Sequence, residues 1–210
     1  MPIFLLIRHG ENEYVKTGRM AARLPGVHLN DRGREQAAAL AACLKEAPLA
    51  AIYSSPLERA METAAPIASE RGLPIKQIPG LMDTDVGDWA GQELKKISKL
   101  PEWKTVQNQP SRFRFPGGES FLELQTRLIG EFEALASAHK REDLVAVVFH
   151  ADPIKLVTAY YLGMPLDHFQ RLACDTGSVT ILGLGEHGVM LIKQNLTPPF
   201  TLPSPPKKKK

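Results

Sequence analysis

Two short apolar runs constrain the fold more than any other feature. Ile3-Phe4-Leu5-Leu6-Ile7 and Leu144-Val145-Ala146-Val147-Val148-Phe149 contain no polar residue. A strand with one face in water alternates apolar and polar residues. A run without alternation suits a strand covered on both faces, as in a parallel sheet with helices on either side.

The rest of the chain supplies those helices. One is predicted from about Arg32 to Glu46, where Ala37, Leu40, Ala41 and Leu44 recur at helical spacing, with Asp31 as N-cap and Pro48 at its end. Ala50-Ala51-Ile52-Tyr53 reads as the second strand. Ser54-Ser55-Pro56 then turns into a helix of about Pro56 to Arg71, with Ser55 as N-cap, Pro56 in the first helical position and Gly72 as the stop. Ile75 to Ile78 is a third short strand. Helices follow at about Ser120 to His139 and Pro153 to Leu162, on either side of the Leu144–Phe149 strand. Strands near Ser178 to Leu182 and Val189 to Gln194 close the chain. Strands alternating with helices predict an α/β fold, a three-layer αβα sandwich with a mostly parallel central sheet.

The 210 residues fit one domain, expected over 1–197. Residues 83–118 hold Gly87, Gly91, Pro101, Pro110, Pro116, Gly117 and Gly118, with a short helix near Gln92 to Leu100. They are too rich in turn residues to bury a core of their own. They read as a lid-like insertion over one end of the sheet, with Trp89 and Trp103 as local core beneath it. Residues 198–210 read as a flexible Pro/Lys-rich tail.

In parallel α/β sheets, ligands bind at the carboxyl ends of the strands. Three strand ends here carry unusual residues: Arg8-His9-Gly10-Glu11, Ser54-Ser55-Pro56 with Arg59 one turn on, and His150. If these strands are neighbours, two histidines and two arginines converge. That set suits phosphoryl transfer. Arginine presents a planar fork of permanent donors to phosphate oxygens. A neutral imidazole is a competent nucleophile near pH 7. Gly10 would let the backbone bend beside it and bring N–H groups toward the oxygens. An ester oxygen leaves poorly unless protonated, so an acid is needed as well. The candidates after the third strand are Asp83, Asp85 and Asp88.

These residues carry a resemblance. Leu6-Ile7-Arg8-His9-Gly10-Glu11 resembles the Arg-His-Gly signature of the histidine phosphatase superfamily, also called phosphoglycerate-mutase-like. Asn30 to Ala37 resembles its "L-x-x-x-G-x-x-Q-A" helix entry, Ser54 to Ala60 with Thr63-Ala64 its second phosphate-binding segment, and Val147-Val148-Phe149-His150 its second histidine. The resemblance implies a metal-independent phosphatase of the short branch, acting on a small phosphomonoester through a phosphohistidine on His9. Arg8, Arg59 and His150 would bind the phosphate and stabilise its transfer, and Asn12 is counted with them as substrate-binding. Asp83 stands where the family usually has a glutamate acid before "G-x-W-x-G", here Gly87-Asp88-Trp89-Ala90-Gly91, and Asp85 is held in reserve. Mutase-type phosphoryl transfer and a non-catalytic phosphate-binding module remain alternatives. After His150 the chain reads Ala151-Asp152-Pro153 where many relatives have glycine; Asp152 is expected to cap the following helix rather than face the phosphate.

A metal-dependent hydrolase built on His9, His150 and aspartates is disfavoured, because two arginines would crowd a cation and no close ligand pair such as HxxxH occurs. No cofactor is expected. His28, His139, His168 and His187 are assigned no role. In Arg112-Phe113-Arg114-Phe115 the arginines are either solvated on an edge segment or reach a carboxylate or second phosphate of the substrate. The net charge of +3 includes Lys207 to Lys210, which leaves the body near −1 (3 minus 4). The expected partner is therefore a small phosphorylated metabolite, not nucleic acid or membrane, and a homodimer is left open. Cys43 and Cys174 show no metal-ligand or CxxC spacing, and the N-terminal apolar run is too short for a signal segment, so a cytoplasmic location is expected.

Overall fold

The structure, a computed structural model, describes residues 1–185 and 188–202. Strands β1 (Ile3–Arg8), β2 (Leu49–Ser54), β3 (Ile75–Gln77), β4 (Leu144–Phe149), β5 (Val179–Gly185) and β6 (Gly188–Leu196) form one sheet in the order β3-β2-β4-β1-β5-β6. The first four run parallel, and β5 and β6 add an antiparallel edge. Both faces are covered, as the unalternating runs require. Leu5, Ile7, Ile52, Ala146 and Val148 pack toward helices α2 (Asp31–Leu44) and α3 (Glu58–Arg71). Phe4, Leu6, Tyr53, Val145, Val147 and Phe149 pack toward α6 (Phe121–Ala138) and α7 (Ala151–Tyr161). This is the three-layer α/β architecture, and none of the described helices is long and apolar enough to cross a membrane.

Central β4 aligns three strand ends. Arg8 of β1 lies opposite Phe149, and Ser54 of β2 opposite Val148. The same pairing continues one residue further, where His9 donates its N–H to the Phe149 carbonyl at 3.0 Å and Ser55 to that of Val148 at 2.9 Å.

Between β3 and α6 the chain forms two short helices, α4 (Leu94–Ile97) and α5 (Trp103–Asn108), and several single turns. A chain of ring contacts joins this segment to the main core: Trp89 with Phe113 and Phe115, then Phe115 with Phe121 and Phe121 with Phe169, with centroids 5.0–5.5 Å apart. Phe200 and Leu202 lie partly buried against the α2/α3 side of the core, and Pro203 to Lys210 fall outside the described residues.

Three helix starts differ from the sequence expectation. Asn30, not Asp31, caps α2, its side chain accepting from Gly33 N. Helix α3 begins at Glu58, so Ser55 is not its cap and is free for another task. Helix α7 begins at Ala151, with His150 in the N-cap position and Pro153 inside the first turn, where no helical N–H is required. Asp152 therefore does not cap the helix. A helix of one turn, α1 (Glu13–Lys16), had no periodic signal to announce it; Asn12 caps it by accepting from Val15 N.

Gly10 and Gly33 let the β1 loop and the first turn of α2 touch backbone to backbone. A Cβ on Gly33 would sit 2.0 Å from the Glu11 carbonyl oxygen, and one on Gly10 would sit 2.5 Å from that of Gly33. The Gly10 N–H is not turned toward a ligand as expected; it donates to Thr63 Oγ1 at 3.0 Å. Gln36, one turn past Gly33, accepts from Glu11 N at 2.8 Å and donates to Thr176 Oγ1 at 3.0 Å. The α2 motif thus fixes the loop that carries His9.

Helix propensity alone favours Gly→Ala by roughly 1 kcal/mol. Gly33→Ala should nonetheless destabilise the protein by about 1–3 kcal/mol, because neither backbone can yield to the added methyl. Gly130→Ala, at an exposed position of α6 where a Cβ meets nothing within 4 Å, should stabilise it by about 0.5–1 kcal/mol. Urea unfolding of both variants checks the pair, and equal signs would show that propensity, not close approach, decides at Gly33.

Candidate active site

The three strand ends and the start of the inserted segment surround a cavity of about 180 Å³ lined by Arg8, His9, Asn12, Arg59, Asp83 and Asp152 among others. His9 and His150 stand edge to face with ring centroids 5.3 Å apart. Arg59, fully buried, lies between them, with Nε 3.3 Å from His9 Nε2 and Nη2 3.3 Å from His150 Nδ1. The same Nη2 donates to the Ala22 carbonyl at 2.6 Å and to Asp83 Oδ2 at 3.0 Å.

Hydrogen-bond partners assign the imidazole tautomers. His9 Nδ1 lies 2.7 Å from the Gly10 carbonyl, which only accepts, so Nδ1 carries the proton and Nε2 the lone pair. His150 Nδ1 faces the Arg59 donor, so its proton is on Nε2, which donates to Ser55 Oγ at 2.9 Å. Burial, and then the positive charge of Arg59, hold both imidazoles well below the ordinary value of 6.5, so both are neutral at pH 7.

Asp83 Oδ1 accepts from Thr84 N at 2.9 Å, and its Oδ2 lies 3.6 Å from His150 Nδ1. Burial raises the Asp83 pKa above the ordinary carboxylate value, against the opposing pull of Arg59 and the Thr84 N–H. Asp85 is not among the cavity residues; its carboxylate meets Gly87 N at 3.1 Å and Arg23 at 3.4 Å. Asp152 does face the cavity, where low-dielectric surroundings raise its pKa. Arg8 Nε, Asn12 Nδ2 and Arg59 Nη1 are buried donors without a hydrogen-bond partner among the described residues, and all three residues line the cavity. Converging unpartnered donors are what an anion would satisfy.

The structure therefore brings together His9, His150, Arg8, Arg59, Asn12 and Asp83. Arg112 and Arg114 stay outside: Arg114 pairs with Glu123, and neither lines the cavity. His187 lies outside the described residues. Sequence reasoning missed three supports. Ser55 orients His150. Thr63 holds the Gly10 N–H. Glu119, with Arg23 and Arg127, grips the backbone of residues 82–85: Arg23 Nε donates to the Asp83 carbonyl at 2.8 Å, Arg127 Nη1 to that of Met82 at 3.2 Å, and Glu119 accepts from both arginines and from Asp85 N. Ser55 and Thr63 lay inside the quoted motif, whereas the Glu119 cluster joins residues with no shared pattern.

The two neutral histidines make stability depend on pH. Below 6.5 the unfolded chain takes up protons that the folded chain refuses. The stabilisation they contribute is thus complete above 6.5 and is lost as pH falls, by about 1.4 kcal/mol per pH unit for each histidine. Urea unfolding between pH 7 and 5.5 should show this slope, and His150→Gln should remove one histidine's share of it. An unchanged slope in that variant would mean His150 is protonated in the folded state.

Comparison with known proteins gives the chain a family. The model of the histidine phosphatase superfamily (branch 1) matches residues 4–197. A protein of Hydrogenobacter thermophilus named phosphoserine phosphatase 1 is 32% identical over 195 residues, covering 92% of each chain. A protein of Arabidopsis thaliana named metal-independent phosphoserine phosphatase is 34% identical over 158 residues, covering 73% of this chain and 66% of that one. The structure of a mycobacterial glucosyl-3-phosphoglycerate phosphatase in complex with VO3 superposes with a TM-score of 0.85 at 26% identity, over 93% of this chain and 99% of that one. With its sheet, its paired histidines and a match over nearly its whole length, the chain belongs to the histidine phosphatase superfamily, branch 1.

Proposed function

We propose that the protein is a metal-independent phosphatase that moves the phosphoryl group of a small phosphomonoester onto His9 Nε2 and then to water. The observation that carries this is the fixed His9 tautomer, with Nδ1–H held on the Gly10 carbonyl and the Nε2 lone pair beside the Arg59 guanidinium. As the Nε2–P bond forms and the ester P–O bond breaks, the Gly10 carbonyl stabilises the charge that develops at Nδ1–H. Arg8, Arg59 and Asn12 hold the phosphoryl oxygens through the transfer, and His150 joins them once the incoming dianion lets its Nδ1 take up a proton. Asp83, kept protonated by burial and by the incoming dianion, gives its proton to the leaving oxygen. Its carboxylate then takes a proton from the water that attacks phosphorus, Nε2 departs, and inorganic phosphate is released.

The relatives' names, phosphoserine and glucosyl-3-phosphoglycerate, are both of phosphomonoesters, and the substrate is taken from that class. Among the described residues no group of three or more His, Cys, Asp or Glu is placed to hold a metal ion, and the Arg59 charge stands where a cation would have to lie. Free Cys43 and Cys174 suit a reducing compartment, the cytoplasm.

His9→Ala should lower kcat/KM on an aryl phosphate by at least about 10³-fold. Wild-type activity should survive a strong chelator, and quenching in alkali should retain phosphate on the protein that later acid treatment releases. Retained activity in His9→Ala would sink the nucleophile assignment, and phosphoryl return to a second substrate hydroxyl would point to a mutase. Asp83→Asn should slow alkyl phosphates by about 10²–10⁴-fold and activated aryl phosphates far less. Equal losses on the two would remove Asp83 from the acid role.

A further inference from the structure

The cavity contains one carboxyl group more than the phosphoryl transfer uses. Its cationic lining residues among those described are Arg8 and Arg59, and both face the proposed phosphoryl position. Two carboxylates, Asp83 and Asp152, line the same space, and each lies within the other's field. Asp83 has a task at the leaving oxygen. Asp152 has none in the reaction, does not cap α7, and has as its one ionic partner among the described residues Lys155, 3.5 Å away. A third of the Asp152 side chain is reached by solvent, whereas the Lys155 ammonium is drawn back toward Gln170 at 3.2 Å and is not a lining residue. Beside Asp83, Thr84 also lines the cavity, 4% exposed, with its hydroxyl unpartnered among the described residues. The two arginines that could have met a second anionic group, Arg112 and Arg114, lie elsewhere.

We propose that Asp152 and Thr84 form the subsite for the leaving group and select phosphomonoesters of amino alcohols or polyols over those whose leaving group carries a carboxylate. This rests on the phosphatase reading of the same cavity and deepens it. A donor on the leaving group, ammonium or hydroxyl, meets the Asp152 carboxylate and the Thr84 hydroxyl. A carboxylate there meets a like charge, with both arginines already committed to the phosphoryl group. Lys155 neutralises part of the Asp152 charge from behind, which sets the preference for a donor without demanding a cation.

Two matched pairs of esters test this. O-phosphoethanolamine and O-phosphoserine differ by one carboxylate, and glycerol 3-phosphate and 3-phosphoglycerate differ by a hydroxymethyl against a carboxylate. In each pair kcat/KM should favour the member without the carboxylate by at least about tenfold. Asp152→Asn should shrink or reverse both ratios, because it removes the repelling charge and frees Lys155; Asp152→Ser, read the same way, covers the case in which the amide variant does not fold. A wild-type preference for the carboxylate esters, or ratios unmoved in both variants, overturns the proposal and leaves the phosphatase reading intact if p-nitrophenyl phosphate is still hydrolysed in a His9-dependent manner. Absence of His9-dependent hydrolysis of p-nitrophenyl phosphate overturns both.

Discussion

A guanidinium removed from water loses several kcal/mol of solvation unless its donors find partners. Arg59 is the largest fully buried side chain described here, and its partners are the site itself: His9, His150, Asp83 and the Ala22 carbonyl. Each comes from a different part of the chain. His9 follows β1, His150 follows β4, Asp83 opens the inserted segment, and Ala22 lies in the loop before α2. The first turn of α3, which carries Arg59, thereby sets the distances among groups that share no contiguous sequence. The remaining donor, Nη1, has no hydrogen-bond partner among the described residues, and an anion in the cavity would complete the burial of Arg59.

The same charge adds to burial in setting the protonation of its neighbours. After burial, it is the strongest influence against imidazolium at His9 and His150, leaving a lone pair on each ring. It should by itself ionise Asp83, yet burial outweighs it and the carboxyl pKa stands above its ordinary value. A phosphate dianion between the rings would oppose Arg59 at all three groups. His150 would then gain basicity where it touches the phosphoryl oxygens, and Asp83 would hold its proton more firmly until the leaving oxygen takes it. Substrate charge thus prepares the acid in this reading, with no conformational step.

Much of this could be read from the chain, for identifiable reasons. The unalternating runs Ile3–Ile7 and Leu144–Phe149 implied strands buried on both faces, and parallel strands place their carboxyl ends together, which is why Arg8, His9 and His150 meet. Arg59 followed from the turn after β2. Helix starts were less legible, because Asn30 and Asp31 are both acceptable caps, and α3 starts after Leu57 with no side-chain cap at all. Ser55 was claimed by His150, a choice invisible to local propensity. Gly10 and Gly33 looked like turn and motif residues, but their role is the contact between their own backbones. Asp152 was assigned to a cap that the helix does not use.

The aspartate at position 83 is the residue whose sequence reading raised a mechanical question, since its side chain is one methylene shorter than the usual glutamate. The carboxylate nevertheless lies 3.0 Å from Arg59 and 3.6 Å from His150. The backbone around it explains how. Arg23 and Arg127 hold the carbonyls of Asp83 and Met82, and both arginines are neutralised by Glu119, only 15% exposed, which also takes the Asp85 N–H. The backbone at and beside the acid is thus fixed by its peptide groups, which holds the short side chain where its carboxylate meets Arg59. A shorter acid on a clamped backbone also loses less rotamer freedom than a longer one on a loose loop. The shorter acid belongs with a set of partly buried charges that only the folded chain brings together.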